Sequence, residues 1–324
     1  MADGPRSPSP DPQPPTPVPW PLAPRVLVMG AGAVGGYFGA LLARAGSETT
    51  FVARGTHLEA IRAKGLRVRS PQGDFHVSAA AAGNPLEVPA ADLVLFCVKS
   101  YDTAEAARAL APALGAQTAV LTLQNGVENE RVLGEIVGTE RVVPGVAYVS
   151  AAVEGPGVIR HMAEGSVAFG EADGAASDRA RAIEAMFQGA GIRTILSDNI
   201  WGIKWAKLAW NATFNALNAL VGGTFDRIGA DEGLMAVGER AMREIGAVAE
   251  AAGVRFPPQA IPRGLAWARQ AHPIKTSTLQ DLEAGRRIEL DALTGAVVRA
   301  ASSLGVPVPT VATLHVLLAA RCRL

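Results

Sequence analysis

An apolar strand that runs directly into a glycine-rich helix start leaves this chain few ways to fold. In "VLVMGAGAVGGYFGALLARAG" the run ending at Met29 meets Gly30, Gly32 and Gly35, spaced G-x-G-x-x-G. Gly30 permits a tight turn, Gly32 leaves room for a pyrophosphate to approach the backbone, and Gly35 lets helix and strand pack closely. The helix start then turns unpaired N–H groups and the positive end of its dipole toward an anion. Gly30, Ala31, Gly32, Ala33, Val34 and Gly35 are therefore candidate contacts to a dinucleotide. The alternatives are a glycine turn that holds no ligand, or the similar loop of a methyltransferase.

Beyond this helix the chain has the rhythm of a parallel sheet. "ETTFVAR", "DLVLFCVKS", "TAVLTLQ" and "RVVPGVAYVS" are continuous apolar runs at their centres, as strands are when both sheet faces are covered. Helical patterns such as "TAEAARALAPAL" and "VENERVLGEIVG" lie between them. Alternation of this kind predicts an α/β fold, a Rossmann-type doubly wound parallel sheet. Two further hairpins are expected, "LRVRS" with "FHVSA" and "GVIRH" with "SVAFG", each joined by a turn containing glycine. After "IRTILS" the strands stop, and helical patterns continue to Leu324.

Three segments result: a proline-rich disordered tail over 1–24, a Rossmann domain over 25–196, and an all-helical domain over 197–324, with "SDN" after Leu196 supplying a helix N-cap. A length of 324 residues suits two domains. Thirty basic residues balance thirty acidic ones, and no Lys/Arg cluster with interleaved aromatics occurs, so a nucleic-acid partner is not expected. No apolar stretch approaches the roughly 18 residues of a spanning helix, and no basic-then-apolar leader opens the chain. The expectation is a cytoplasmic protein without a membrane partner. Cys97 and Cys322 lack motif partners and read as ordinary thiols; the five histidines are scattered, so no metal is expected.

The end of the second strand selects the dinucleotide. NAD enzymes usually present an acid there to the ribose 2′-hydroxyl, whereas "FVARGTH" offers Arg54, whose guanidinium suits a 2′-phosphate. NADP is the expected cofactor, unless Arg54 is only a surface residue capping the next helix. Lys99, ending "LVLFCVKS", stands at the sheet edge where such folds bind ligands and adds positive charge there.

In "KWAKLAWNATFNALNAL" a second feature appears. At about 100° per residue, Lys207, Asn211, Asn215 and Asn218 fall within an arc of roughly 80°, a polar stripe on an otherwise apolar helix. Such a stripe faces either a wet cleft or polar partners on other helices, because each buried, unpaired group would cost about 1–3 kcal/mol.

Taken in order, the glycine loop, "VKS", "LQNG", "KLAWNATFN", "STLQDL" and "IELD" resemble the 2-dehydropantoate 2-reductase (ketopantoate reductase) family, from Arg25 to about Ala320. The resemblance implies a Rossmann domain followed by a helical domain similar to that of 6-phosphogluconate dehydrogenase. It also implies NADPH-dependent reduction of 2-dehydropantoate to (R)-pantoate, a step toward pantothenate and coenzyme A. By the same resemblance Lys207 is the proton donor, and Asn125, Asn211, Asn215 and Ser277 contact substrate. Asn125 also touches the nicotinamide end, Glu289 lies near the lysine and cofactor, and Ala151 offers a backbone contact to the cofactor. Some members carry a further substrate-contacting asparagine after this helix; "LVGGTFDRIG" has none, which leaves another 2-oxo acid open as substrate. By fold analogy the helical domain is expected to form a homodimer.

The chemistry suits these residue types. Hydride addition to a ketone carbon leaves charge on oxygen, and an ammonium can stabilise that charge and supply the proton. Asn211 and Asn215 can bind carboxylate or hydroxyl without adding charge, and Asn218 can be structural. Ser277 can instead be an N-cap, and Glu289 can instead pair with Arg286 or Arg287. A sensor that binds NADP without catalysis is the remaining alternative; it would not need the donor set.

Overall fold

The computed structural model describes residues 24–270 and 272–323; of the segment expected as a tail, all but Pro24 lies outside them. The strands are β1 (Arg25–Met29), β2 (Glu48–Val52), β3 (Leu66–Arg69), β4 (Phe75–Val77), β5 (Ala80–Ala82), β6 (Leu93–Phe96), β7 (Ala119–Thr122), β8 (Val142–Gly155), β9 (Val158–Phe169) and β10 (Arg193–Leu196). Between them run α1 (Ala33–Arg44), α2 (Gly55–Lys64), α3 (Thr103–Leu110), α4 (Asn129–Val137) and α5 (Asp178–Gly189). The sheet order is β4-β3-β9-β8-β7-β6-β1-β2-β5, with β10 on β9. From β5 to β8 every pairing is parallel. Every residue of β6 and β7 is buried, which is why these strands read as unbroken apolar runs.

The chain leaves β1 toward β2 on one side and reaches β6 on the other, so a switch point opens at the C-terminal ends of β1 and β6, the place where open sheets bind ligands. Beyond β8 the sheet becomes mixed. The hairpin of β3 and β4 forms as expected, with Leu66 opposite Val77. The second hairpin does not. "GVIRH" and "SVAFG" belong to the single strand β9, which runs antiparallel to β8 along its whole length. The apparent turn between them is a bulge: the register skips between Tyr148 and Val149, where Glu164 (φ 65°) and Gly165 (φ 121°) take left-handed conformations. Edge strand β5 was not expected, since three alanines carry no strand signal.

After β10 the described elements are helical. Asn199 caps α6 (Ile200–Trp210), accepting from the Gly202 N–H at 3.3 Å. One π turn (Asn211–Asn215) carries the helix into α7 (Ala216–Val221). Then come α8 (Asp226–Gly229), α9 (Glu232–Ala251), α10 (Ala260–Ala268), α11 (Ser277–Glu283), a second π turn (Asp291–Gly295) with α12 (Ala296–Leu304), and α13 (Pro309–Arg321). A second apolar core, with Phe214, Phe225, Ile245, Val297 and Val311 fully buried, holds these helices together. Helix α6 also packs on β8 and thereby joins the two parts.

Candidate active site

The glycine loop has the shape its spacing requires. Gly30 adopts φ 97°, and a Cβ there would lie 2.9 Å from the Val98 nitrogen, so only glycine lets the β1 and β6 loops meet. A Cβ on Gly35 would overlap the Gly30 carbonyl oxygen and press on Val28. At Gly32, by contrast, an added Cβ meets nothing within 4 Å: the N-cap of α1 faces open space. Ala31 anchors the loop by donating to the Val52 carbonyl at 3.0 Å. Ala33 and Val34 follow as the first helical residues, whose N–H groups have no intrahelical acceptor. The loop can thus hold a pyrophosphate. Arg54 stands beside it at the end of β2, 70% exposed and paired at 3.0 Å with Glu105. It precedes α2 without a side-chain capping bond.

Lys207 and the asparagines lie at the same sheet edge. Lys207 donates its ammonium to the Ala147 carbonyl of β8, with the Tyr148 ring 5.4 Å away. Asn211 donates to the Asn125 side-chain oxygen at 3.2 Å, linking the helix to the end of β7. Asn215 is buried in the same π turn. The i→i+5 turn advances less per residue than an α-helix, so Asn215 swings back toward the line of Lys207 and Asn211 instead of precessing past it. Asn218 has left the stripe: it accepts from the Thr276 N–H at 3.0 Å and donates to the Gly223 carbonyl at 3.2 Å, an anchor for the segment before α11.

Burial, with the nearby Lys204 charge, pulls the Lys207 ammonium down to about 7, against an opposite pull from the Glu289 carboxylate. Glu289 is not paired with Arg286 or Arg287. It accepts from the Ser100 N–H at 2.9 Å and meets Lys99 at 3.4 Å, with its side chain only 9% exposed. Arg286 instead binds Asp281 at 2.9 Å, and Arg287 lies over the Tyr101 ring. Lys99 is held by Asp281 at 2.7 Å as well; burial works against its charge, but the Glu289 and Asp281 carboxylates outweigh this and raise its pKa. A cavity of about 10 Å³, lined by Asn211, Thr278, Glu289 and Thr294, joins the two π turns.

Other expected residues are placed less directly. Ser277 is the first residue of α11 and exposed; the N-cap is Thr276, so Ser277 is not the cap. Ala151 lies on β8 opposite His161, on a strand packed against α1. Several contributors carry little sequence signal. Gln124 donates to the Val98 carbonyl at 3.0 Å and to Thr103 at 2.8 Å, and Asn129 donates to the Asn125 carbonyl at 2.7 Å, so a buried network fixes the turn that presents Asn125. The glutamine of "LQNG" is its only mark in the sequence. Asp281 sits inside "STLQDL" with nothing local to connect it to Lys99, 182 residues earlier.

Comparison with known proteins matches the same two parts. The family described as ketopantoate reductase PanE/ApbA covers residues 26–174, and its C-terminal family covers 199–321. A 2-dehydropantoate 2-reductase of Halobacterium salinarum is 37% identical over 297 residues, 90% of this chain and 96% of its own. That of Mesorhizobium japonicum is 36% identical over 308 residues, 89% and 94% of the two chains. The crystal structure of a PanE/ApbA family ketopantoate reductase from Ralstonia eutropha is similar at a TM-score of 0.85 and 40% identity, covering 92% of this chain and 98% of that one. Strand-rich and helical parts alike match one family in the order the chain carries them, and the chain belongs to the ketopantoate reductase family.

Proposed function

We propose that the chain reduces 2-dehydropantoate to (R)-pantoate with NADPH, and that Lys207 delivers the proton. The observation that carries the reading is the half-buried Lys207, one turn from Asn211, which bonds Asn125 at the end of β7, at the sheet edge that also bears the glycine loop. The open space at Gly32 fits a dinucleotide pyrophosphate, and Gly30, Ala31, Ala33, Val34 and Gly35 frame it. NADPH, when bound, supplies the hydride that adds to the substrate's C2.

As the C2–O double bond opens, its electron pair moves to oxygen, and Lys207 transfers a proton to that oxygen and is left as the amine. Asn211, Asn215, Asn125 and Ser277 have donors and acceptors for the substrate carboxylate and hydroxyl. Arg54 takes the 2′-phosphate in this reading. Its present partner is an exposed carboxylate, and an exposed pair of that kind is worth about 1 kcal/mol or less, so exchanging it for a phosphate costs little. Ala151 contributes backbone, and Lys99 with Glu289 closes the cofactor side. Among the described residues no helix is long and apolar enough to cross a membrane. The reading places the enzyme in the cytoplasm as a homodimer through its helices; the exposed Val316 and Leu317 of α13 support such a contact.

The test is NADPH oxidation followed by absorbance with 2-dehydropantoate, beside NADH, a panel of other 2-oxo acids and the Arg54→Ala variant. Turnover that prefers NADPH, with the preference lost in the variant, supports the reading. Tight NADPH binding with turnover of a different 2-oxo acid alone would overturn the substrate.

A further inference from the structure

Lys204 and Lys207 stand one turn apart on α6, and both reach the same edge of β8. Lys204 donates to the Gly145 carbonyl at 3.1 Å, Lys207 to the Ala147 carbonyl two residues on. Their surroundings differ. The Lys204 side chain is 1% exposed and meets Glu130 of α4, 5% exposed, at 2.6 Å. No hydrogen-bond donor of good geometry reaches either Glu130 oxygen among the described residues, so Lys204 is the charge that balances it. Lys207 has no carboxylate within ion-pair distance among the described residues.

A buried carboxylate stays ionised only with a cation beside it, and without Lys204 the next ammonium along the helix is Lys207. We propose that Lys204, locked by Glu130, is a positioning residue: it occupies the buried carboxylate and pins β8, so that Lys207 stays on the Ala147 carbonyl with its proton transferable. The inference rests on Lys207 being the proton donor.

Few other charges bear on Lys207. Tyr148 faces it from β8, and Glu289 raises its pKa while Lys204 lowers it. The π turn brings only neutral Asn211 and Asn215. On α9, Arg243 pairs with Glu239, and Glu244 accepts from the Thr310 and Val311 N–H groups at the start of α13. Arg263 of α10 is exposed, and His161 of β9 is bonded to Ser70 and the Glu164 carbonyl.

The experiment compares the alkaline limb of kcat/KM, which reports the free enzyme, in the parent, Lys204→Met, Lys204→Arg and the double variant Lys204→Gln/Glu130→Gln. Removing the like charge and freeing Glu130 moves the limb of Lys204→Met upward by about one pH unit, leaving roughly fivefold more Lys207 protonated at pH 8. Lys204→Arg keeps the parental limb. The double variant leaves no buried charge unpaired and so keeps the fold accessible if Lys204→Met does not fold; its limb also moves upward, by less. A limb unmoved in both uncharged variants, with NADPH binding intact, overturns the proposal. The ¹⁵N resonance of the Lys207 ammonium, titrated in parent and double variant, separates the two readings: if Lys207→Ala retains turnover, the donor assignment fails, while an upward shift of that resonance still supports the effect of Lys204, and a coincident titration overturns it.

Discussion

At the scale of single residues, the lysine carries the most chemistry. A free lysine would hold its proton through neutral pH, whereas partial burial, with the Lys204 cation nearby, pulls Lys207 down to about 7. In the proposed reaction the donor form is the protonated one, so kcat/KM for reduction is expected to be flat below about pH 6 and to fall as pH rises through about 7. A limb above pH 9 in rate measurements would count against Lys207. Lys207→Ala is expected to lose about 10²–10⁴ in kcat, the usual reach of a general acid, with the NADPH Kd, read by fluorescence titration, nearly unchanged. Residue types at this scale are legible in the sequence. A lysine and asparagines on an apolar helix have few reasons to be there, and the structural role open to Asn218 agrees with its bonds to Thr276 and Gly223.

Elements carry the next set of consequences. The β1–α1 turn depends on glycine for contact reasons. In Gly35→Val, side-chain atoms would overlap the Gly30 carbonyl and Val28, so α1 must lift from β1; dinucleotide affinity is expected to fall by at least tenfold, with a loss of about 1–3 kcal/mol typical of overpacking, both readable by calorimetry. At the other end of the stripe, Asn218→Ala leaves the Thr276 N–H and hydroxyl without their acceptor. The cost is about 1–3 kcal/mol, a drop in Tm of roughly 2–4 °C per kcal/mol. Because α11 carries Ser277, a substrate contact in the proposed function, KM for the 2-oxo acid should rise while that for NADPH holds. Helix existence was readable from periodicity, but the two π turns were not. An inserted residue in a helix changes no local composition; the wider turn depends on packing, Asn211–Asn215 lying against Asp291–Gly295, α9, α11 and α13.

Across the whole molecule, the Rossmann part and the helical part are held together at the mouth of the site. Lys99 meets Asp281 and Glu289, Arg299 meets Glu128 at 2.6 Å, and Gly126, at φ 97°, lies so close to the Ala292 carbonyl that a Cβ would sit 2.8 Å from it. Asp281→Asn removes the 2.7 Å partner of Lys99. Asp281 is only 10% exposed and also holds Arg286 at 2.9 Å, so the stability cost should exceed the roughly 1 kcal/mol of a surface pair. KM values for both substrates are also expected to rise several-fold in steady-state assays, because Lys99, which also meets Glu289, loses its shorter anchor. Unchanged KM values would mean that the link serves stability alone.

Local rules already fix part of this architecture in the order of the residues. A glycine spacing dictates a turn, an unbroken apolar run dictates a strand covered on both faces, and the period of a helix dictates which polar residues share a side. Tertiary structure decided whatever depends on residues far apart in the chain. It joined "GVIRH" and "SVAFG" into one bulged strand, because β8 offers a single long pairing edge. It paired Glu289 with Lys99, 190 residues away, rather than with the adjacent arginines, and it gave Lys204 and Lys207, three residues apart, opposite environments by placing Glu130 beside one of them. Burial and charge pairing are properties of the assembled neighbours, and no stretch of sequence contains them.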